Sequence, residues 1–199
     1  METVKSRRSQ HAEDTRTALL KAARRLFGQR GYAAVSLDEV CGRARVTKGA
    51  LYHHFQNKQD LFLAVYEQLE EDFVEAGTKA VAEGADDFWA VLGAAGRGFL
   101  DVCARPGARQ IILDAPAVLG WAKARAAEER SGLGQLQAGL EAAVNAGVLD
   151  SAAPAVMAHL ILALFREAGL AVAAAPDPQR ARREVSTELD RVLLGLRPR

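Results

Sequence analysis

The sequence predicts an all-α protein of two domains, and three observations carry that reading. Apolar residues recur at three- and four-residue spacing along most of the chain, and no stretch alternates with the period of two that a half-buried strand needs. The breaks hold residues that start and stop helices, with Ser36, Thr47, Asn57 and Asp87 ahead of apolar stripes and Gly31 and Gly147 behind them. Charge is also divided. Residues 1–58 hold 12 Lys/Arg against 5 Asp/Glu, and residues 59–199 hold 14 against 20, although the whole chain sums to +1.

Composition sets the outer limits. A chain of 199 residues, 49% hydrophobic and 26% charged, suits an ordinary soluble globular protein with one sizeable core or two modest ones. Two cysteines cannot build a disulfide framework, and no hydrophobic signal segment opens the chain, so a reducing cytoplasm is expected. The longest apolar run, Leu160 to Phe165, is short of a bilayer span, and no membrane partner is expected.

Residues 1–14 are polar and include Lys5, Arg7 and Arg8 without apolar periodicity, which reads as a flexible basic arm. A helix is expected from Thr15 to Arg30, with Ala18, Leu19, Ala22, Ala23, Leu26 and Phe27 inward and Gly31 in the left-handed position that closes it. Ser36 caps a short helix through Leu37, Val40 and Cys41. Gly42-Arg43-Ala44-Arg45 turns the chain, and Thr47 caps a second short helix that buries Ala50, Leu51 and Phe55. Helix, tight turn, helix is the layout that places a second helix in a DNA major groove while the first crosses the backbone. Its outer side would carry Lys48, Gly49, Tyr52, His53 and His54, with Lys58 just beyond, a set suited to phosphates and base edges. The net charge of the first 58 residues agrees, because a nucleic-acid footprint must be basic.

These residues also carry a resemblance. Residues 15–66 resemble the DNA-binding domain of the tetracycline-repressor (TetR) family of bacterial transcriptional regulators. The likeness runs through Leu19, Ala22, Ala23, Leu26, Phe27, Gly31-Tyr32, Ser36, the run from Val46 to Phe55, Asn57-Lys58 and Asp60-Leu61. It spans about a quarter of the chain with many fixed spacings. Two positions depart from the pattern: Arg45 stands where the family usually has a turn glycine, and Cys41 where it usually has alanine. Arg45 then adopts a strained turn conformation or adds a phosphate contact. The resulting set of expected DNA contacts is Ser36, Arg45, Thr47, Lys48, Gly49, Ala50, Tyr52, His53 and Lys58, with 15–60 as the DNA-binding domain.

The remainder, 61–199, is expected to bind an effector and to dimerise. Asn57 opens a long helix to about Val81, with Leu61, Phe62, Val65, Leu69, Phe73 and Val74 inward, as the mechanical link between the domains. Asp87 caps a helix through Cys103. A short helix from Ala108 to Asp114 is expected to end at Pro116, another to run from near Val118 to Glu129, and a break or kink to fall at Ser131–Gly134. Helical stretches follow from Leu136 to Ala146, from Pro154 to Ala175 and from Gln179 to Leu196. The Pro154 helix is apolar almost all round, so it calls for cover that one small domain hardly supplies. The resemblance implies a homodimer in which the last two helices pack against their mates as a four-helix bundle. Met157, Leu160, Ile161, Leu164, Leu189, Val192, Leu193 and Leu196 are the interface candidates.

Effector candidates are Phe88, Trp89, Phe99, Ile111, Ile112, Trp121, His159, Leu162, Phe165 and Arg166, large or polar groups on helices that should enclose a central space. Arg166 and Glu167 interrupt the apolar helix and are expected to need partners, within the chain or across a dimer. No metal-ligand spacing, cofactor motif or catalytic grouping is visible, and Cys41 and Cys103 fall on apolar faces as small core residues. The expected protein is a non-enzymatic, homodimeric transcriptional regulator acting on palindromic double-stranded operator DNA. It would be a repressor released by an unidentified small apolar or amphipathic effector; the alternative is a regulator without such a ligand, controlled by a protein partner.

Overall fold

The computed structural model describes residues 7–82 and 87–197, and among them every regular element is helical. In chain order these are α1 (Arg7–Arg30), α2 (Leu37–Ala44), α3 (Lys48–His54), α4 (Lys58–Ala82) and α5 (Phe88–Cys103). They continue with α6 (Pro106–Leu119), α7 (Trp121–Glu128), a π turn (Glu129–Leu133), α8 (Gly134–Asn145), α9 (Pro154–Ala174) and α10 (Pro178–Leu194).

The first departure from expectation is at α1. Residues 7–14, expected to be part of a flexible arm, continue the helix N-terminally. Exposed side chains support that turn: Gln10 donates to Asp14 and Thr15 to the His11 carbonyl, at 3.1 and 2.8 Å. Contacts four residues apart stabilise a helix without any apolar face. Residues 1–6 of the expected arm lie outside the described residues.

The N-terminal core closes around three rings. Phe27 and Phe62 are fully buried, and Tyr32 packs on both with centroids 5.8 and 5.3 Å away. Leu19, Ala23, Val40, Leu51, Leu61 and Val65 fill the space between α1, α2, α3 and α4 with no exposure. Each such Leu, Val or Phe contributes roughly 1.5–3 kcal/mol on burial.

The second departure is at α6, which runs through Pro116 instead of stopping before it. Proline removes one internal N–H, but buried Leu119 anchors the turn beyond it, and the Gly120 N–H closes on the Pro116 carbonyl at 3.2 Å. Gly120, at φ 75°, then separates α6 from α7. The expected kink at Ser131–Gly134 is present as the π turn.

Helix α4 is not the sole bridge between the domains, because α6 docks directly on the N-terminal domain at three places. Gly107 lies so close to Gly28 of α1 that a Cβ at Gly28 would collide with the Gly107 carbonyl. The Asp114 carboxylate accepts from the Tyr32 N–H at 2.6 Å and from Gln110 at 3.0 Å. Near its end, the Val118 carbonyl accepts from the Gln59 side chain.

In the C-terminal domain α5 packs between α4, α9 and α10, with Leu100, Ile111, Leu140, Ile161, Val172, Leu189 and Leu193 in its core. Helix α9 is long and apolar enough, by length and composition, to cross a bilayer. Here it packs on α5, α6, α8 and α10, and Ala158, Ile161, Phe165, Val172 and Ala173 are buried. Its opposite face, bearing Val156 and Leu160 at 59% and 61% exposure, is uncovered within the protomer.

The α1–α6 approach sets a test. Gly28→Ala should destabilise the protein by about 1–3 kcal/mol, since backbone on both sides leaves nothing soft to move. Gly139→Ala, on an open face of α8, should be neutral or stabilising by about 0.5–1 kcal/mol. Denaturant midpoints that shift alike in the two variants would contradict the close docking.

Candidate nucleic-acid interface and effector cavity

Local chemistry builds the helix-turn-helix. Ser36 and Glu39 form a reciprocal capping box: the Ser36 hydroxyl accepts from the Glu39 N–H, and the Glu39 carboxylate accepts from the Ser36 N–H at 2.8 Å. That backbone hydrogen bond, then the Arg30 and Ser36 side chains, hold Glu39 down at about 2. A depressed carboxyl stabilises the fold above its ordinary pKa of 4.5, and the contribution is lost as pH falls toward 2.

Arg45 closes α2 in the left-handed region, at φ 58° and ψ 41°, the one non-glycine residue at positive φ among those described. The N–H groups of Arg45 and Val46 return to the Gly42 and Cys41 carbonyls, so the turn is tight and its strain is held by hydrogen bonds. Thr47 caps α3 through the Ala50 N–H at 3.2 Å. Leu51 anchors α3 inward with no exposure, and that fixes which residues face out.

Outward, Lys48, Gly49, Tyr52 and His53 are exposed, together with Ser36, Arg45 and Thr47. Tyr52 is 54% exposed. Ala50 is half-buried, as is His54, whose pKa is lowered by burial and by neighbouring His53 and Arg16. Lys48 pairs with Asp38 at 2.7 Å across the α2–α3 turn. Lys58 stands with its ammonium 4.1 Å from the centroid of the Tyr32 ring, half-buried, with its pKa lowered by desolvation. The ring carries no countercharge, so that ammonium remains available to an anion.

The second domain holds a cavity of about 100 Å³ between α4, α5, α6, α7 and α9. Five of the ten expected residues line it: Phe99, Ile112, Trp121, Leu162 and Arg166. The other five do not. Phe88 and Trp89 pair with each other at the start of α5, and Arg197 lies over Trp89. Ile111 is fully buried core, and Phe165 turns toward α5 and α10, where it would meet a Cβ at Gly96. His159 sits on the surface against the Ala155 carbonyl. Trp121, expected inside, is 68% exposed and stands at the rim, under Arg166.

Sequence reasoning missed the polar end of the cavity. Tyr66, Glu70 and Glu128 line it and are all buried, with Glu70 and Glu128 at 8% and 6% exposure. The Tyr66 hydroxyl donates to Glu128 at 3.2 Å, and Arg166 pairs with the other Glu128 oxygen at 2.7 Å. Arg166 therefore has its partner within the chain. Burial raises the Glu128 pKa against the pull of Arg166, and burial beside Glu70 and Glu128 drives the Tyr66 phenol far up. The missed signal was an acid on an apolar stripe: Phe62, Tyr66, Glu70 and Phe73 fall on one face of α4.

The interface candidates divide in the same way. Leu160 and Val192 are exposed, and Met157, Leu164 and Leu196 are half-buried. Ile161, Leu189 and Leu193 are 2–3% exposed and belong to the protomer's own core, because α9 and α10 turn those positions toward α5 and each other.

Fold and site together define a helix-turn-helix DNA-binding protein with a second, cavity-bearing helical domain. Residues 19–65 match the family described as bacterial regulatory proteins of the tetR family, and residues 89–196 match the tetracyclin repressor-like C-terminal domain. A crystal structure of a TetR-family transcriptional regulator from Pectobacterium atrosepticum is 33% identical with a TM-score of 0.82, over 98% of this chain and 99% of that one. The Transposon Tn10 TetC protein of Escherichia coli is 48% identical over 64 residues, 32% of each chain. The transcriptional regulator AcrR of Shigella flexneri is 40% identical over 83 residues, 42% of this chain and 39% of that one. These alignments span well under half of either curated relative. The chain belongs to the TetR family of DNA-binding transcriptional regulators.

The left-handed Arg45 gives this region its test. Arg45→Gly should raise stability by about 0.5–1 kcal/mol, because relief of the turn outweighs the added freedom of the unfolded chain. A lower urea midpoint in the variant would mean that the arginine, not the strain, governs the turn.

Proposed function

We propose that the protein is a homodimeric, cytoplasmic repressor that leaves palindromic operator DNA when a small molecule enters the α4–α9 cavity. Ser36, Arg45, Thr47, Lys48, Tyr52, His53 and Lys58 meet phosphates and base edges, while Gly49 and Ala50 let α3 approach the groove floor. The single observation that carries the ligand-responsive reading is the placement of α6. Ile112, Ala115 and Pro116 line the cavity, while Gly107, Asp114 and Val118 on the same helix hold the N-terminal domain. A ligand that displaces α6 therefore moves the recognition helix. A solid second domain would have favoured control by a protein partner, and the cavity speaks against that alternative.

The partner subunit covers the exposed side of α9 and α10. Val156, Leu160, Ala163, Glu167 and Ala171 form one uncovered line on α9. Beside it a groove of about 540 Å³ runs between Leu164, Ala168, Val185 and Val192. A second copy placed there satisfies the all-round apolar character of α9, and two-fold dimers dominate among oligomers.

Two experiments check these assignments. Tyr52→Ala and Lys58→Ala should weaken DNA binding across sequences, and Lys58→Ala should reduce the salt slope by about 1, as for one lost phosphate contact. Unchanged affinity and slope in both variants would remove this recognition surface. Leu160→Glu and Val192→Glu, both at exposed positions, should give folded monomers in sedimentation where the unaltered chain gives dimers. A persisting dimer in both variants would move the interface elsewhere.

A further inference from the structure

The chemistry of the cavity wall narrows the class of ligand, on the reading that this cavity is the effector site. Most of the lining is apolar, with Phe73, Phe99 and Trp121 offering ring faces. At one end the side chains of Tyr66, Glu70, Glu128 and Arg166 converge. Formal charges there are two carboxylates against one guanidinium. The Tyr66 hydroxyl brings a single proton to a site holding four carboxylate oxygens, and it is spent on Glu128 at 3.2 Å. Arg166 is committed on two sides, to Glu128 at 2.7 Å and over the Trp121 ring at 5.3 Å. The end of the cavity is thus rich in acceptors and negative in balance.

Burying carboxylates in an apolar wall is costly, and a pocket meant for hydrocarbons gains nothing from them. An anion entering here would face Glu70 and Glu128 at close range. A cation with hydrogen-bond donors would find both the charge and the acceptors, and its ring would meet aromatic faces. Size adds a second limit. A cavity of about 100 Å³ is smaller than the ~150 Å³ space that accepts benzene, so one ring fits once the wall yields slightly and two rings do not. The yielding part is at the rim, where exposed Trp121 follows the Gly120 break between α6 and α7.

We propose that the cavity is a site for a small, single-ring aromatic cation, held by the Glu70 and Glu128 carboxylates with its ring against Phe73, Phe99 and Trp121. Benzamidine, benzyl alcohol and benzoate, of similar size, serve as cationic, neutral and anionic probes. The chain has two tryptophans, so Trp89→Phe, remote from the cavity, leaves Trp121 as the reporter. Benzamidine should change Trp121 fluorescence and raise the melting temperature, binding about tenfold or more tightly than benzyl alcohol, as expected for hydrogen bonds to charged groups. Benzoate should not bind. Glu70→Gln should abolish the preference for the cation and leave affinity for benzyl alcohol unchanged. Equal or tighter binding of the alcohol or of benzoate, or no binding by any of the three, overturns the proposal. Operator binding is read separately. Benzamidine that binds as described yet leaves DNA affinity untouched keeps this site and overturns the ligand-released reading. A neutral ring that binds best and releases DNA does the reverse.

Discussion

The arrangement of the two domains depends on one hydrogen bond that no helix provides for itself. The Tyr32 N–H, just past the end of α1, points at the Asp114 carboxylate, 82 residues further along the chain. Such a bond to a charged acceptor is shorter and stronger than one between neutral groups. Gln110 holds the second oxygen of the same carboxylate, which fixes its aim. The left-handed turn at Gly31, φ 78°, presents that N–H outward from the helix end. With the Gly28–Gly107 approach one helical turn away, α6 is pinned to α1 at backbone level. Loose side chains do not mediate the contact, so rigid-body displacement of α6 must be felt by the DNA-binding domain.

Helix α4 complements this because its inward face changes role along its length. Leu61, Phe62 and Val65 belong to the ring-centred core of the N-terminal domain. One turn on, Tyr66, Glu70 and Phe73 line the cavity of the second domain. Arg24 of α1 reaches Asp72 of α4 and ties the two helices again at the level of the cavity. The hydrophobic seam is therefore continuous between domains, and the polar groups begin where the cavity does.

What was legible in the sequence follows from how local each feature is. The caps at Ser36, Thr47, Asn57 and Asp87 and the left-handed Gly31 and Arg45 depend on residues within a few positions of one another, and all six were readable. The extent of α6 was not, because Pro116 is a helix breaker by rule and only the burial of Leu119 keeps the helix going. The cavity was half legible. Bulk and polarity identified Phe99, Ile112, Trp121, Leu162 and Arg166, but an enclosed space is a property of five helices at once. Glu70 and Glu128 are common surface residues in composition, and only their helical register with buried neighbours marks them. The inward turn of Ile161, Leu189 and Leu193 likewise depended on which side of α9 met α10. That rotation is set by close approaches such as Gly169 against Phe99 and Cys103.

The Lys48–Asp38 pair across the helix-turn-helix has a consequence for how the protein searches. A lysine facing bare solvent gains the full benefit of counterion release at any phosphate, whatever the sequence. Lys48 already has a carboxylate 2.7 Å away, so a phosphate must displace an internal competitor before it gains that contact. The exchange yields little on random duplex, where α3 rides above the groove. It becomes favourable only when the helix seats deeply enough to complete its other contacts. Asp38 thus acts as a built-in competitor to the DNA backbone, lowering idle adhesion to the chromosome and widening the gap between the correct site and all others.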